Sequence, residues 1–234
     1  MPDQIQENSS NKIVVIVPAY NEEPVIKKIL LEILEKGYTV IVVDDGSDIS
    51  LKQLLNYLPV YFLRHQANLG QGAALQTGFD YAKKLQPDFI VTIDADGQHH
   101  SSSIDSLIEP LITNEADIVL GSRFLSKEDT TIPFAKKIVL HSARIINYFF
   151  SGLMLSDAHN GLRAFNKNAL QKINITENRM AHASEFLFEI KKHRLRYKEV
   201  PVTIAYTEYS KQKGQSVWDS IRIFFDLILY KLFQ

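Results

Sequence analysis

KIVVIVPAYNEE, residues 12–23, begins with five consecutive β-branched residues, Ile13 to Val17, and closes on a polar, acidic cluster. A strand wetted on one face alternates apolar and polar positions. An unbroken apolar run of this length belongs to a strand covered on both faces. Working outward, residues 22–36 carry Val25, Ile26, Ile29, Leu30, Ile33 and Leu34 at helical spacing, and Gly37 marks the stop. TVIVV (39–43) is a second buried strand, residues 48–58 read as helix, and PVYFL (59–63) is a third strand. A helix over 71–85, a strand over 88–93, a helix over 102–114 and a strand over 116–121 continue the alternation. This order predicts a Rossmann-like α/β fold, with a mostly parallel sheet and helices on both faces.

The second half is less regular. Residues 134–154 and 181–193 read as helices, 155–168 as a polar segment with turns, and 197–206 as a strand. A basic loop (209–216) and a last helix (217–233) follow. The expected organisation is a tail (1–11), a first half (12–123) and a smaller second half (124–234) in one domain.

Composition narrows the function. A net charge of −1 from 26 basic and 27 acidic residues gives no electrostatic reason to expect nucleic acid. The absence of cysteine excludes disulfides, thiolate metal sites and cysteine nucleophiles. No secretory signal and no run of 18 uncharged apolar residues are visible, which leads to the expectation of a cytoplasmic protein.

Ligands of such sheets bind beyond the carboxyl ends of the strands. Four strands bring polar groups there: Pro18-Ala19-Tyr20-Asn21-Glu22-Glu23, Asp44-Asp45-Gly46-Ser47, Asp94-Ala95-Asp96-Gly97-Gln98 and Gly121-Ser122-Arg123. Asp94 and Asp96 repel one another unless a cation lies between them. Oxygen donors select Mg2+ or Mn2+, Gln98 has an amide oxygen to add, and a diphosphate would complete the shell. The competing reading is a solvated turn. Asp44-Asp45-Gly46-Ser47 suits either hydrogen bonds to a base or ribose, or an N-cap and turn. Gly70 and Gly72 open a helix, where a nucleotide could approach the backbone. Arg123 and Arg163 suit phosphate or an ion pair. Adjacent His99 and His100 cannot both face one ligand; His100 reads as structural or solvent-facing. Glu185 begins a helix, either turned to the site or placed there by the helix dipole.

The motifs VPAYNEE (17–23), DDGS (44–47), NLGQGAALQTG (68–78), DADGQH (94–99), GSR (121–123) and NGLRAF (160–165) resemble those of the family 2 glycosyltransferases. The resemblance is strongest to the polyprenyl-phosphate sugar synthases of the dolichyl-phosphate mannose synthase branch. It implies a GT-A fold and an inverting transfer from a nucleoside-diphosphate sugar to a polyprenyl (dolichyl or undecaprenyl) phosphate, with Mg2+ or Mn2+ as cofactor. It places Pro18, Tyr20, Glu22, Asp44, Asp45, Gly70 and Asp94 at the nucleotide. Asp94, Asp96 and Gln98 would hold the metal, and Arg123 and Arg163 the phosphates. Asp96 and Arg123 would act in catalysis, and a hydroxyl acceptor would need a base, for which Glu185 is the best candidate and Glu128-Asp129 a weaker one. DADGQHHSS lacks the two prolines of relatives with DADLQHPP.

Three rivals accompany this reading. They are a saccharide acceptor in surface-polysaccharide synthesis, a nucleotidyltransferase, and a non-catalytic nucleotide-sugar binder. The nucleotidyltransferase lacks its glycine-rich basic first loop here, and intact Asp44, Asp94 and Asp96 argue against the binder. On the last helix Asp219, Arg222 and Asp226 share one face, leaving an apolar arc with Trp218, Phe224 and Phe225. That arc packs on the domain, or lies on the inner membrane face or a membrane-protein partner, with Lys211 and Lys213 near headgroups.

Overall fold

The structure is a computed structural model that describes residues 11–125, 148, 152–153, 155–157, 160–179 and 181–205. The expected helices over 134–154 and 217–233, the loop at 209–216 and the pair Glu128-Asp129 lie outside the described residues, apart from a few positions near 150.

Among the described residues seven strands form one sheet: β1 (Ile13–Ala19), β2 (Thr39–Asp44), β3 (Tyr61–Arg64), β4 (Phe89–Thr92), β5 (Ile118–Ser122), β6 (Arg163–Asn166) and β7 (Tyr197–Pro201). The helices are α1 (Ile26–Glu35), α2 (Lys52–Leu55), α3 (Gln71–Leu85), α4 (Ser103–Ile112), α5 (Lys167–Lys172) and α6 (His182–Lys192). The sheet order is β3-β2-β1-β4-β6-β5-β7, with every neighbouring pair parallel except the two made by β6.

Side chains alternate across a strand, so the wholly apolar β1 serves two cores. Val15 and Val17 pack with Ile26, Leu30 and Ile33 of α1 and with Ile104 and Leu107 of α4. Val14 and Ile16 face the other way, onto Ala74, Leu75 and Phe79 of α3 and Phe186, Leu187 and Ile190 of α6. Phe165 stands edge-on between Phe79 and Phe186, with ring centroids 5.4 and 5.3 Å away. Helices thus cover both faces, as expected.

The main departure from the sequence reading is β6. Residues 155–168 read as polar turns, yet Arg163–Asn166 runs antiparallel between β4 and β5, with Arg163 opposite Thr92 and Leu120. The following α5 is capped by Asn166, whose side-chain oxygen accepts from Ala169 N at 2.8 Å. The expected strand at 197–206 is shorter, Tyr197–Pro201, followed by an isolated bridge from Ile204 to His99. Insertion of β6 has a functional consequence: it sets a charged residue from the second half beside the end of β4.

Candidate active site

Strand order reverses at β1, which has β2 on one side and β4 on the other. The crevice beyond such a reversal is where ligands bind in open α/β sheets. Here it lies between the Tyr20–Glu22 loop and the Asp94–Gln98 loop.

Asp94 is held from several elements. Gln71, the first residue of α3, donates Nε2 to its Oδ1 at 2.7 Å. His99 Nε2 stands 3.8 Å from its Oδ2. Gly161 packs directly against the carboxylate, since a Cβ built there would lie 2.2 Å from Oδ2. Burial acts to raise the Asp94 pKa, but His99, then Arg163 and His182, outweigh it and hold the carboxyl below its ordinary value. Asp96 has the opposite environment. Burial and the charge of Asp94, with a smaller push from Glu22, drive it up to about 6, against the Gln98 amide and His99. Among the described residues its one hydrogen bond is from Gln98 N, at 3.0 Å.

This donor set fits a small divalent cation. The two carboxylates repel, and a cation removes that repulsion. No three His, Asp or Glu side chains among the described residues converge on one point. Two carboxylates with phosphate oxygens and water to complete the shell are the donor set that Mg2+ and Mn2+ favour.

Arg163 is buried beside this pair. Its guanidinium stacks on Phe186, 4.5 Å from the ring centroid, and donates Nε to Asn160 O at 2.9 Å. Burial pulls its pKa down to about 10, while Asp94 and Asp157 support its charge. Arg123 makes a two-pronged buried pair with Asp157, at 2.6 Å from Nε and from Nη2. Burial alone would raise Asp157, but Arg123 overrides it and keeps the carboxyl low. Glu199 of β7 in turn accepts from Ser156 N and Asp157 N at 2.8 and 3.1 Å, fixing the loop that carries Asp157.

Asp44 and Asp45 have a different occupation. Asp44 is fully buried and accepts from Ser47 N at 2.9 Å, Leu51 N at 3.3 Å and the Arg64 guanidinium. Asp45 accepts from Leu69 N at 3.0 Å, Gly70 N at 2.7 Å and His65 Nδ1 at 2.7 Å. Both carboxylates hold the loops that border the crevice. Pro18 is a buried strand residue opposite Val43, whereas Tyr20 is 40% exposed at the crevice.

Gly70 and Gly72 do permit a close approach, but the backbone that approaches is the chain's own. A Cβ at Gly72 would lie 1.9 Å from Glu177 O, and one at Gly70 would lie 2.3 Å from Asn178 O. Asn178 O accepts from Gly72 N at 2.8 Å and Ala73 N at 3.3 Å, capping α3 where no side chain does. Glu185 holds that segment: its carboxylate accepts from Thr176 N at 3.0 Å, Glu177 N at 2.8 Å and the Thr176 hydroxyl. Gln71, Asp157, Gly161 and His182 were not singled out from sequence. Gln71 and Gly161 lie inside the NLGQGAALQTG and NGLRAF motifs, but a position within a motif does not give the distance to Asp94.

The family model for glycosyl transferase family 2 matches residues 14–174. The chain belongs to that family. A further relative of this family 2 glycosyltransferase is the UDP-N-acetylglucosamine--dolichyl-phosphate N-acetylglucosaminyltransferase of Methanococcus voltae, 34% identical over 94% of this chain and 96% of that protein. An uncharacterized protein of Methanocaldococcus jannaschii is 38% identical over 98% of the chain and 96% of its own length. The solved structure of mannosyl-3-phosphoglycerate synthase from Rubrobacter xylanophilus aligns with a TM-score of 0.67 over 95% of this chain and 74% of that one. At 12% identity this likeness shows the fold alone, the GT-A type. The transferase thus has the fold that its strand pattern predicts, with β6 as the unpredicted insertion.

Proposed function

We propose that this glycosyltransferase moves a sugar, with inversion, from a nucleoside-diphosphate donor to a polyprenyl phosphate, using Mg2+ or Mn2+. The observation that carries the reading is the pair Asp94 and Asp96 at the sheet's switch point, with Asp96 driven up to about 6 by burial and by the charge of Asp94. When bound, the cation would neutralise charge developing on the departing diphosphate, a contribution of roughly several kcal/mol. Asp94 and Asp96 would hold it, with Gln98 available as a further oxygen. Gln71 and Gly161 keep Asp94 in place. Arg163, charged and buried beside Asp94, offers a second positive group to a phosphate, and Tyr20 and Glu22 border the donor from β1. Arg123 is oriented by Asp157 toward the same edge of the sheet.

A phosphate acceptor is already ionised and requires no general base. This agrees with a site in which Glu185 is engaged by backbone amides. The relative from Methanococcus voltae supports a lipid phosphate acceptor and suggests UDP-N-acetylglucosamine as the first donor to try. No helix among the described residues is long and apolar enough to cross a membrane. Contact with a membrane or a membrane-protein partner is proposed from the sequence of residues 217–233 alone, where Trp218, Phe224 and Phe225 form part of an apolar arc.

The test is transfer of labelled N-acetylglucosamine from its UDP donor to dolichyl or undecaprenyl phosphate in Mn2+ or Mg2+, followed by extraction into organic solvent. Label in the organic phase, lost on chelation, is the expected result. Label passing only to a water-soluble saccharide would replace the lipid acceptor with a saccharide.

A further inference from the structure

The segment 173–179, between α5 and α6, lies across the start of α3, and three side chains or carbonyls tie it down. Ile175 N donates to Gln76 Oε1 at 2.7 Å. Asn178 O caps α3 through Gly72 N and Ala73 N. The Glu185 carboxylate, 7% exposed, takes the amides of Thr176 and Glu177 together with the Thr176 hydroxyl. A buried carboxylate is stabilised only when its oxygens are filled, and these donors fill it. The next link is short: α3 begins at Gln71, whose Nε2 is 2.7 Å from Asp94 Oδ1. His182, in the first turn of α6, adds its influence on Asp94, and its Nδ1–H donates to Arg179 O, at the end of the same segment, at 2.7 Å.

We infer that Glu185 is a positioning residue: by clamping segment 176–178 onto the N-terminus of α3 it sets Gln71 against Asp94, and so orients one carboxylate of the cation pair from the second half of the chain. The inference rests on the proposed cation role of Asp94. Glycine at 72 belongs to the same device, because any side chain there meets Glu177 O. Removing an outer partner of a metal ligand lowers metal affinity by about 10- to 100-fold. The near-isosteric Glu185→Gln exchanges one acceptor oxygen for an NH2 that faces a backbone N–H, which releases one side of the clamp.

Two measurements on the full chain test this. The first is amide hydrogen exchange at Gly72 and Ala73, which needs no ligand. The second is uptake of Mn2+ alone, followed by the electron paramagnetic resonance signal of the free ion. Glu185→Gln should speed exchange at both amides by about tenfold or more and weaken Mn2+ uptake by about tenfold. Gly72→Ala, which displaces the segment without touching Glu185, should do the same, and the two changes together should fall short of additive. Unchanged exchange, or unchanged Mn2+ uptake in both variants, overturns the inference; a Glu185 that served only as a proton acceptor would give that result. Should the wild type take up no Mn2+, the cation reading itself fails, and the exchange data alone decide whether Glu185 holds the segment.

Discussion

Two acidic pairs end the buried strands on either side of β1, and they have different fates. Asp44 and Asp45 are buried and surrounded by donors: three backbone amides from the loops that follow, another from Leu51, the Arg64 guanidinium and His65. Asp94 accepts from Gln71 and has His99 beside it, whereas Asp96 holds one backbone amide among the described residues and has an elevated pKa. A carboxylate filled by its own chain is a structural element. One left short of donors, beside a second charge, is prepared for an ion from outside. Sequence shows the same pattern, acids after an apolar strand, in both places; the donors decide the difference.

The contrast predicts a division of effects between catalysis and stability. The largest belongs to Asp96→Ala, which should lower turnover by about a hundredfold or more while leaving circular dichroism unchanged. Near-wild-type turnover would remove Asp96 from the cation site. Next comes Asp44→Ala, which strands two amides and an arginine and should cost about 2–3 kcal/mol in denaturant unfolding. A loss of activity with no loss of stability would move Asp44 from the structural pair to the binding pair.

A third effect concerns pH. Asp96 has a folded pKa of about 6, against an ordinary 3.8. Its neutral form is therefore favoured by folding, and that contribution is present below 3.8 and lost as pH rises through about 6. The cation needs the ionised form, so Mn2+ affinity should fall by about tenfold per pH unit below 6. A flat affinity from pH 5 to 8 would contradict the assigned environment. The smallest effect is at the filled pair: Thr77→Val removes the hydroxyl 2.9 Å from His65 Nε2 and should cost about 0.5–1.5 kcal/mol, measured by the same unfolding curve, with turnover unchanged.

Much of the fold was legible because burial writes itself into period. Strands β1 and β2 have unbroken apolar centres, Ile13 to Val17 and Val40 to Val43, and α3 runs over the 71–85 expected for it. Strand β6 was not legible. It is four residues long, contains Arg and Asn, and is a strand only because β4 and β5 lie on either side. Arg163 reads locally as a partner for phosphate or for an ion pair, and tertiary placement buries it. The acids of the site were readable as candidates, since strand ends are where ligands bind. Their ranking was not, because it depends on donors 20 to 25 residues away, such as Arg64 for Asp44, Gly70 for Asp45 and Gln71 for Asp94. Glu185 shows the same limit: a helix start predicts an acid there, and only the fold shows which amides it holds.

The central claim, that Asp96 is the acid left short of donors beside Asp94, is tested most directly by calorimetric titration with Mn2+ near pH 6 in buffers of different ionisation enthalpy. Wild type should bind the ion and release about half a proton per ion at pH 6, falling towards none at pH 8, and Asp96→Asn should lose the binding while Asp44→Asn retains it. Binding that survives in Asp96→Asn, or that disappears in Asp44→Asn while the protein remains folded, would contradict the account.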